Sequence, residues 1–254
     1  MIVAHRGASE EAPENTLAAF RLAWERGADA IEGDFYLTRD GHIVAIHDET
    51  TKRTAGGVEL RVADSTLAQL QALDVGAWKA DRYRGERMPT LEQVLAIVPA
   101  GKKIFIEIKC GPDIVPKLRT MLDASPLSPD QVVVIAFEEA VITEVKQKIP
   151  QIKVYWLVGY KQDEATKVWS PRIDDVLRTL DRLGADGLDT EGNRQFVDQA
   201  LVQQLRARGK GLHVWTIDKP ADAQHFQQLG VDSITTNRPA EIRAALTLKA
   251  GVTQ

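Results

Sequence analysis

Short apolar runs alternate with helix-period amphipathic stretches from one end of the chain to the other. Runs at 2–4, 30–36, 103–109, 132–136, 153–158, 186–189, 211–216 and 233–236 predict strands. Helical spacing predicts helices over 16–26, 90–98, 113–123, 138–148, 171–183, 196–208, 219–228 and 239–248. Eight strands, each followed by a helix, are the order of a (β/α)8 TIM barrel, an α/β fold. A doubly wound parallel sheet is the alternative. A short echo supports the barrel: Gly27-Ala28-Asp29, Gly184-Ala185-Asp186 and Gly230-Val231-Asp232 each follow a helical stretch and precede a strand. Glycine accepts the left-handed conformation that ends a helix, so the repeated unit is an αβ turn.

The alternation breaks between Glu49 and Pro89, after the second strand. That is long for a connection in a compact domain. Thr90 is expected to cap the next helix, with Gln93 completing a capping box. The chain is therefore read as one barrel domain over 1–254, with 49–89 as a small insertion that shapes substrate binding at the catalytic face.

Composition narrows the function classes. The 254 residues are enough to bury a sizeable core, as one barrel or two small domains. A net charge of -4 argues against broad electrostatic binding to nucleic acid, so an anionic ligand must be held by a few local cations. One cysteine excludes an intramolecular disulfide and fits a reducing compartment. The N-terminus enters a strand at once, with no signal-peptide pattern, and no apolar run approaches the ~18 residues of a membrane helix. The expectation is a cytoplasmic protein without a stable membrane anchor.

The chemistry-capable side chains cluster at predicted strand ends. Strand residues i and i+2 share a face, so Glu32 and Asp34 point the same way, roughly 6–7 Å apart at Cα. Phe105, Glu107 and Lys109 likewise share the inner face, and Ile104, Ile106 and Ile108 turn toward the helices. Three converging carboxylates repel one another, and a divalent cation relieves the repulsion. Oxygen-only ligands suit Mg²⁺ or Ca²⁺ better than zinc. The competing reading gives each acid its own salt bridge, with Glu107 and Lys109 as the obvious pair.

His5 ends the first strand and His47 ends the run Ile43-Val44-Ala45-Ile46. Each can act as base in one step and acid in the next, and a pair flanking a phosphorus suits in-line displacement. Arg6 offers a planar fork for phosphate oxygens, and Lys109 a second positive charge. Trp215 is placed in the pocket wall, with Glu14 and Asn15 beside His5, where Asn15 or Thr16 also caps the following helix. His213 reads as a deeper structural residue, His42 and His225 as surface residues, and Cys110 as packing. There is no glycine-rich phosphate loop and no G-x-S-x-G elbow, which disfavours nucleotide hydrolysis and a serine esterase.

In order, these motifs resemble the glycerophosphodiester phosphodiesterases: His5-Arg6-Gly7, Pro13-Glu14-Asn15-Thr16, Glu32-x-Asp34, Thr38-Arg39-Asp40-Gly41, and His47-Asp48 with Arg53-Thr54. The likeness continues through Leu73-Asp74-Val75-Gly76-Ala77-Trp78, Glu107-x-Lys109, His213-x-Trp215-Thr216 and Thr236-Asn237-Arg238-Pro239. The resemblance implies a bacterial cytoplasmic-type, metal-dependent TIM-barrel hydrolase. It would release glycerol 3-phosphate and an alcohol from deacylated phospholipid headgroups. It implies His5 and His47 as the acid-base pair, Glu32, Asp34 and Glu107 as ligands of Mg²⁺ or Ca²⁺, and Arg6 and Lys109 as phosphate grips. The sequence departs from the family at Ala136-Phe137, where serine often precedes the phenylalanine. A change in a pocket hydrogen bond is expected there. The rival functions are a lysophospholipase D acting on intact lysophospholipids and a barrel that binds phosphodiesters without cleaving them. The sequence leaves open the headgroup, the choice of ion, which histidine is the acid, whether water or a substrate hydroxyl attacks, and the oligomeric state.

Overall fold

The structure, a computed structural model, describes residues 1–247. Its strands, in chain order, are β1 (Ile2–Ala4), β2 (Ala30–Leu37), β3 (Ile43–Ala45), β4 (Lys103–Ile108), β5 (Val132–Ala136), β6 (Lys153–Val158), β7 (Lys161–Gln162), β8 (Trp169–Ser170), β9 (Gly187–Glu191), β10 (Gly211–Trp215) and β11 (Ser233–Thr236). Eight of them, β1, β2, β4, β5, β6, β9, β10 and β11, pair in parallel, and β1 bonds both β2 and β11. The sheet is therefore closed, and the fold is a (β/α)8 TIM barrel. These are the eight strands the periodicity predicts.

The helices are α1 (Leu17–Glu25), α2 (Leu67–Gln71), α3 (Leu91–Leu95), α4 (Val115–Ala124), α5 (Glu139–Lys148), α6 (Ile173–Leu183), α7 (Gln199–Ala207), α8 (Pro220–Leu229) and α9 (Pro239–Thr247). Thr16, rather than Asn15, caps α1 by accepting from the Ala19 N–H. Thr90 and Gln93 form the expected capping box on α3. Helix α7 starts later than the spacing predicts because Asp198 caps it, accepting from the Leu201 N–H at 2.8 Å. Residue 248, the last of the predicted final helix, lies outside the described residues.

Alternation along each strand divides the apolar residues into two cores. Val3, Ala30, Phe105, Val133, Ile135 and Leu157 fill the barrel interior. Ile31, Phe35, Ile104, Ile106 and Ile108 pack outward against the helices. Glu32, Asp34 and Glu107 follow Ala30 and Phe105 in the inward set, so they enter the barrel above this apolar floor.

The G-x-D echo is a stitch at the strand N-termini. Gly27, Gly184 and Gly230 have φ of 76°, 63° and 83°, as a helix exit into a strand requires. The aspartate two residues on bonds the start of a preceding strand twice. Asp29 receives the Ile2 N–H at 2.8 Å, Asp186 the Val154 N–H at 3.0 Å, and Asp232 the Leu212 N–H at 2.7 Å. Each aspartate N–H returns a bond to the carbonyl of the same residue. These contacts lie at the barrel face remote from the site and serve stability. Asp232→Ala is expected to cost about 1–3 kcal/mol by orphaning the Leu212 N–H. Urea unfolding checks this, and an unchanged midpoint would contradict it.

The stretch after β2 is ordered rather than loose. Strand β3 pairs antiparallel with β2, and Val44, Ile46, Val62, Leu70, Val75 and Met88 form a small core of their own. Asp74 gathers the Gly76, Ala77 and Gly85 N–H groups, and those bonds hold its pKa down to about 2. A Cβ on Gly76 would sit 2.0 Å from the Tyr83 carbonyl oxygen, so only glycine fits that fold-back. Lys79 and Tyr83 bond the carbonyls of Ser9 and Glu11, tying the insertion to the loop after β1. The β7–β8 hairpin has no sequence signal, because two-residue strands carry no period.

Candidate active site

The turn after β1 is built for close approach. Arg6 and Gly7 are left-handed, with φ of 55° and 79°. A Cβ on Gly7 would lie 2.5 Å from the Ala19 carbonyl carbon. A left-handed non-glycine residue is sparsely populated backbone, held here by surrounding bonds. The Arg6 N–H donates to Glu32 Oε2 at 2.8 Å, and its guanidinium reaches Glu14 at 3.0 Å and Asp34 at 3.1 Å. The loop thus sets the Arg6 side chain against the strand acids.

Glu32 and Asp34 on β2 and Glu107 on β4 are buried, and one carboxylate oxygen from each lies within 4.8 Å of the others. Register pairing of Asp34 with Glu107 brings the two strands' acids side by side. Lys109 bonds Glu107 at 2.7 Å and stands 3.5 Å from Asp34. The salt-bridge reading is therefore real but incomplete. Glu32 Oε1 and Asp34 Oδ1 are buried without a hydrogen-bond partner. Burial, then Asp34 and Glu107, push Glu32 well above the usual carboxylate range. Burial, then Asp34, push Glu107 up to about 7. Three carboxylates against Arg6 and Lys109 leave excess negative charge and unused oxygens, a donor set that fits a hard divalent cation.

Each histidine is held at Nδ1, which leaves Nε2 for chemistry. His5 Nδ1 meets Asn237 Oδ1 at 2.8 Å. Asp218 fixes that amide, accepting from Asn237 Nδ2 at 2.6 Å and from its backbone N–H at 2.8 Å. The amide oxygen therefore faces His5 and sets its tautomer. Burial, then Arg6, lower the His5 pKa. His47 Nδ1 meets the Asp48 carboxylate at 2.7 Å. Hydrogen bonds from Arg53 hold the Asp48 pKa down to about 2, with His47 adding to the effect. Arg53 also grips Glu14 at 2.7 Å, joining the loop after β1 to the loop after β3.

Both histidines, Arg6, Glu32, Glu107 and Lys109 line one cavity of about 170 Å³. Its remaining wall is mainly apolar, with Ile135, Phe137, Leu157 and Trp215, and includes Asp189, Thr216 and Thr235. Phe137 and Trp215 meet edge to face at 5.9 Å. Two cationic side chains, an acid cluster that fits a cation and two base-capable nitrogens around one small space suit the cleavage of a phosphate ester.

The sequence matches the glycerophosphoryl diester phosphodiesterase family over residues 5–241. A glycerophosphodiester phosphodiesterase of Caldanaerobacter subterraneus subsp. tengcongensis is 35% identical over 246 residues, 94% of each chain. The chain belongs to the glycerophosphodiester phosphodiesterase family. A glycerophosphodiester phosphodiesterase of Bacillus subtilis is 31% identical over 94% of this chain and 84% of that one. A phosphodiesterase of Oleispira antarctica, solved with its product sn-glycerol-3-phosphate, superposes with a TM-score of 0.85 at 26% identity, covering 97% of this chain and 96% of that one. The chain is thus an enzyme, a glycerophosphodiester phosphodiesterase by family.

Some expected details of this phosphodiesterase need correction. Glu14 and Asn15 do not line the main cavity. They stand behind it, beside a smaller space of about 10 Å³. Glu14 braces Arg6 and Arg53, and Asn15 exchanges bonds of 2.8 and 3.1 Å with Asp34. Ala136 is fully buried in the outer core, whereas Ile135 and Phe137 line the cavity. The departure from serine therefore touches helix packing and not a pocket hydrogen bond. His213 is buried below the site, bonded to Ser233 and packed on Tyr155. Cys110 packs against the outer core. Sequence reasoning gave no role to Asp48, Arg53, Asp218 or Asn237, which orient the histidines, nor to Asp189. Asp48 had a signal, its adjacency to His47. Asn237 lay in a motif of the resemblance, but it is 232 residues from His5 and nothing in the sequence paired the two.

Proposed function

We propose that this chain hydrolyses glycerophosphodiesters to glycerol 3-phosphate and an alcohol, by two-histidine acid-base catalysis at a divalent-cation site. The observation that carries the reading is the convergence of His5, His47, Arg6, Glu32, Glu107 and Lys109 on one cavity. The Oleispira antarctica relative with sn-glycerol-3-phosphate supports the product assignment.

Arg6 and Lys109 hold phosphate oxygens and offset charge as the transition state forms. His5 Nε2 takes the proton of the attacking hydroxyl, because a neutral ring backed by a neutral amide is the better resting base. His47 Nε2 gives its proton to the leaving alcohol oxygen, and the Asp48 carboxylate offsets the charge of the cationic ring. A returning proton transfer between the two rings and solvent resets the pair. Glu32, Asp34 and Glu107 would hold Mg²⁺ or Ca²⁺, which supplies Lewis-acid polarisation of a phosphoryl oxygen when bound. The insertion 49–89 borders the catalytic face through its bonds to Ser9 and Glu11 and limits what enters.

Among the described residues no helix is long and apolar enough to cross a membrane. With a single cysteine, this supports a cytoplasmic enzyme acting on a small water-borne diester.

The test is glycerol 3-phosphate release from glycerophosphocholine after EDTA treatment, with add-back of Mg²⁺ or Ca²⁺. Release restored by one ion is expected, and the better ion is the cofactor. No release with either ion, but turnover of lysophosphatidylcholine, would replace this reading with a lysophospholipase D.

A further inference from the structure

On the wall facing the acid cluster stands a carboxyl with no assigned task. Asp189 is on β9, in register with Leu157 on β6 and His213 on β10. In the closed sheet β9 is four strands round from β2, directly across the barrel from Glu32. Asp189 is only 1% exposed, lines the same cavity as the two histidines, and its Oδ1 is buried with no hydrogen-bond partner. Among the described residues no ion pair includes it. It also falls outside the group of acids close enough to share a cation. Its register neighbours are Leu157 and His213, whose Nδ1 is already bonded to Ser233, and the cavity wall around it also carries Ile135 and Trp215.

A buried carboxyl with an unpartnered oxygen on a largely apolar wall is costly, and a leucine there would extend the barrel's own floor. Such a group is explained by a partner that arrives with the ligand. The phosphate is held on the β1–β4 side by Arg6 and Lys109. Of the two free hydroxyls on a glycerol phosphoester, the terminal one is farther from phosphorus and extends away from that grip. It needs a hydrogen-bonding partner on the far wall.

We propose that Asp189 is the specificity-determining residue of this pocket, taking the terminal hydroxyl of the substrate's glycerol moiety and selecting polyol phosphodiesters over alkyl ones. The inference rests on the hydrolase reading above. It adds which part of the substrate enters the barrel: the glycerol points inward and the leaving alcohol outward, past Phe137. A site built to bond a hydroxyl discriminates strongly against the analogue that lacks it, because its own polar group is left unpaired.

The experiment measures binding of glycerol 3-phosphate and of 1,2-propanediol 1-phosphate, which lacks the terminal hydroxyl, to the metal-supplied protein by calorimetry. The wild type is expected to prefer glycerol 3-phosphate by about 10²-fold or more. Asp189→Leu is expected to bind the two within a few-fold of each other, while the isosteric Asp189→Asn keeps most of the preference. The melting temperature of each variant separates a lost contact from a lost fold. Equal preference in wild type and Asp189→Leu would overturn the assignment. So would a loss in Asp189→Leu that follows a choline or ethanolamine leaving group in turnover, which would place an ammonium against Asp189. Failure of the wild type to bind either phosphate or cleave glycerophosphocholine would instead strike the hydrolase reading itself.

Discussion

Replacing either His5 or His47 with alanine lowers kcat by about 10²–10⁴, a loss of roughly 3–5 kcal/mol of transition-state stabilisation. The two variants differ in how the loss depends on the leaving group. His47→Ala recovers much of its rate on a diester that releases p-nitrophenolate, because that group departs without a proton. His5→Ala does not recover, because the attacking hydroxyl still needs a base. The asymmetry follows from what stands behind each ring. Asn237, fixed by two bonds to Asp218, offers His5 a neutral oxygen. Asp48 offers His47 a full negative charge, kept ionised by Arg53. Melting temperature and glycerol 3-phosphate binding stay near wild type in both variants, so the loss is in the chemical step. Recovery in His5→Ala and not in His47→Ala would reverse the two roles. Near-normal turnover of both would remove the histidines from the mechanism.

The barrel was legible because its signal is local and repeated. Alternation alone separated Glu32, Asp34, Glu107 and Lys109 from Ile104, Ile106 and Ile108, and the register of β2 against β4 then brought the acids together. The echo at Gly27, Gly184 and Gly230 marked helix exits correctly, yet it assigned no task to its aspartates. Their task, bonding the backbone of a preceding strand, is a contact between elements that a linear pattern does not encode. The same limit hid the orienting shell. Thr16 was readable as a cap because its partner is three residues away. Asn15 was not readable as a brace, because its partner Asp34 is on the next strand. Asp189 was missed for a related reason. In Leu188-Asp189-Thr190-Glu191 it looks like the polar end of a strand, and only closure of the barrel turns it toward the cavity.

Glu32→Gln separates a cation site from a salt-bridge cluster, because the two readings predict opposite signs. For the wild type, a divalent ion at a hundred times Kd stabilises the fold by about 2.7 kcal/mol through binding the native state alone. In a chain of this size that is a rise of roughly 5–10 °C in Tm. Glu32→Gln removes one charged ligand and abolishes most of that rise. Without metal the variant melts higher than the wild type, since the substitution keeps an acceptor for the Arg6 N–H and removes a buried acid whose ionisation burial, Asp34 and Glu107 oppose. Metal affinity in the wild type weakens as pH falls, because Glu32 and Glu107, whose pKa values are raised by burial and by the neighbouring carboxylates, take up protons that compete with the ion. Differential scanning calorimetry with EDTA, Mg²⁺ and Ca²⁺ measures both signs at once. If the acids instead served only Arg6 and Lys109, Glu32→Gln would lower the metal-free Tm and neither ion would shift the wild type. A metal-free gain together with a lost metal response is the pattern expected of ligands held close before the ion arrives, whose mutual repulsion the ion relieves.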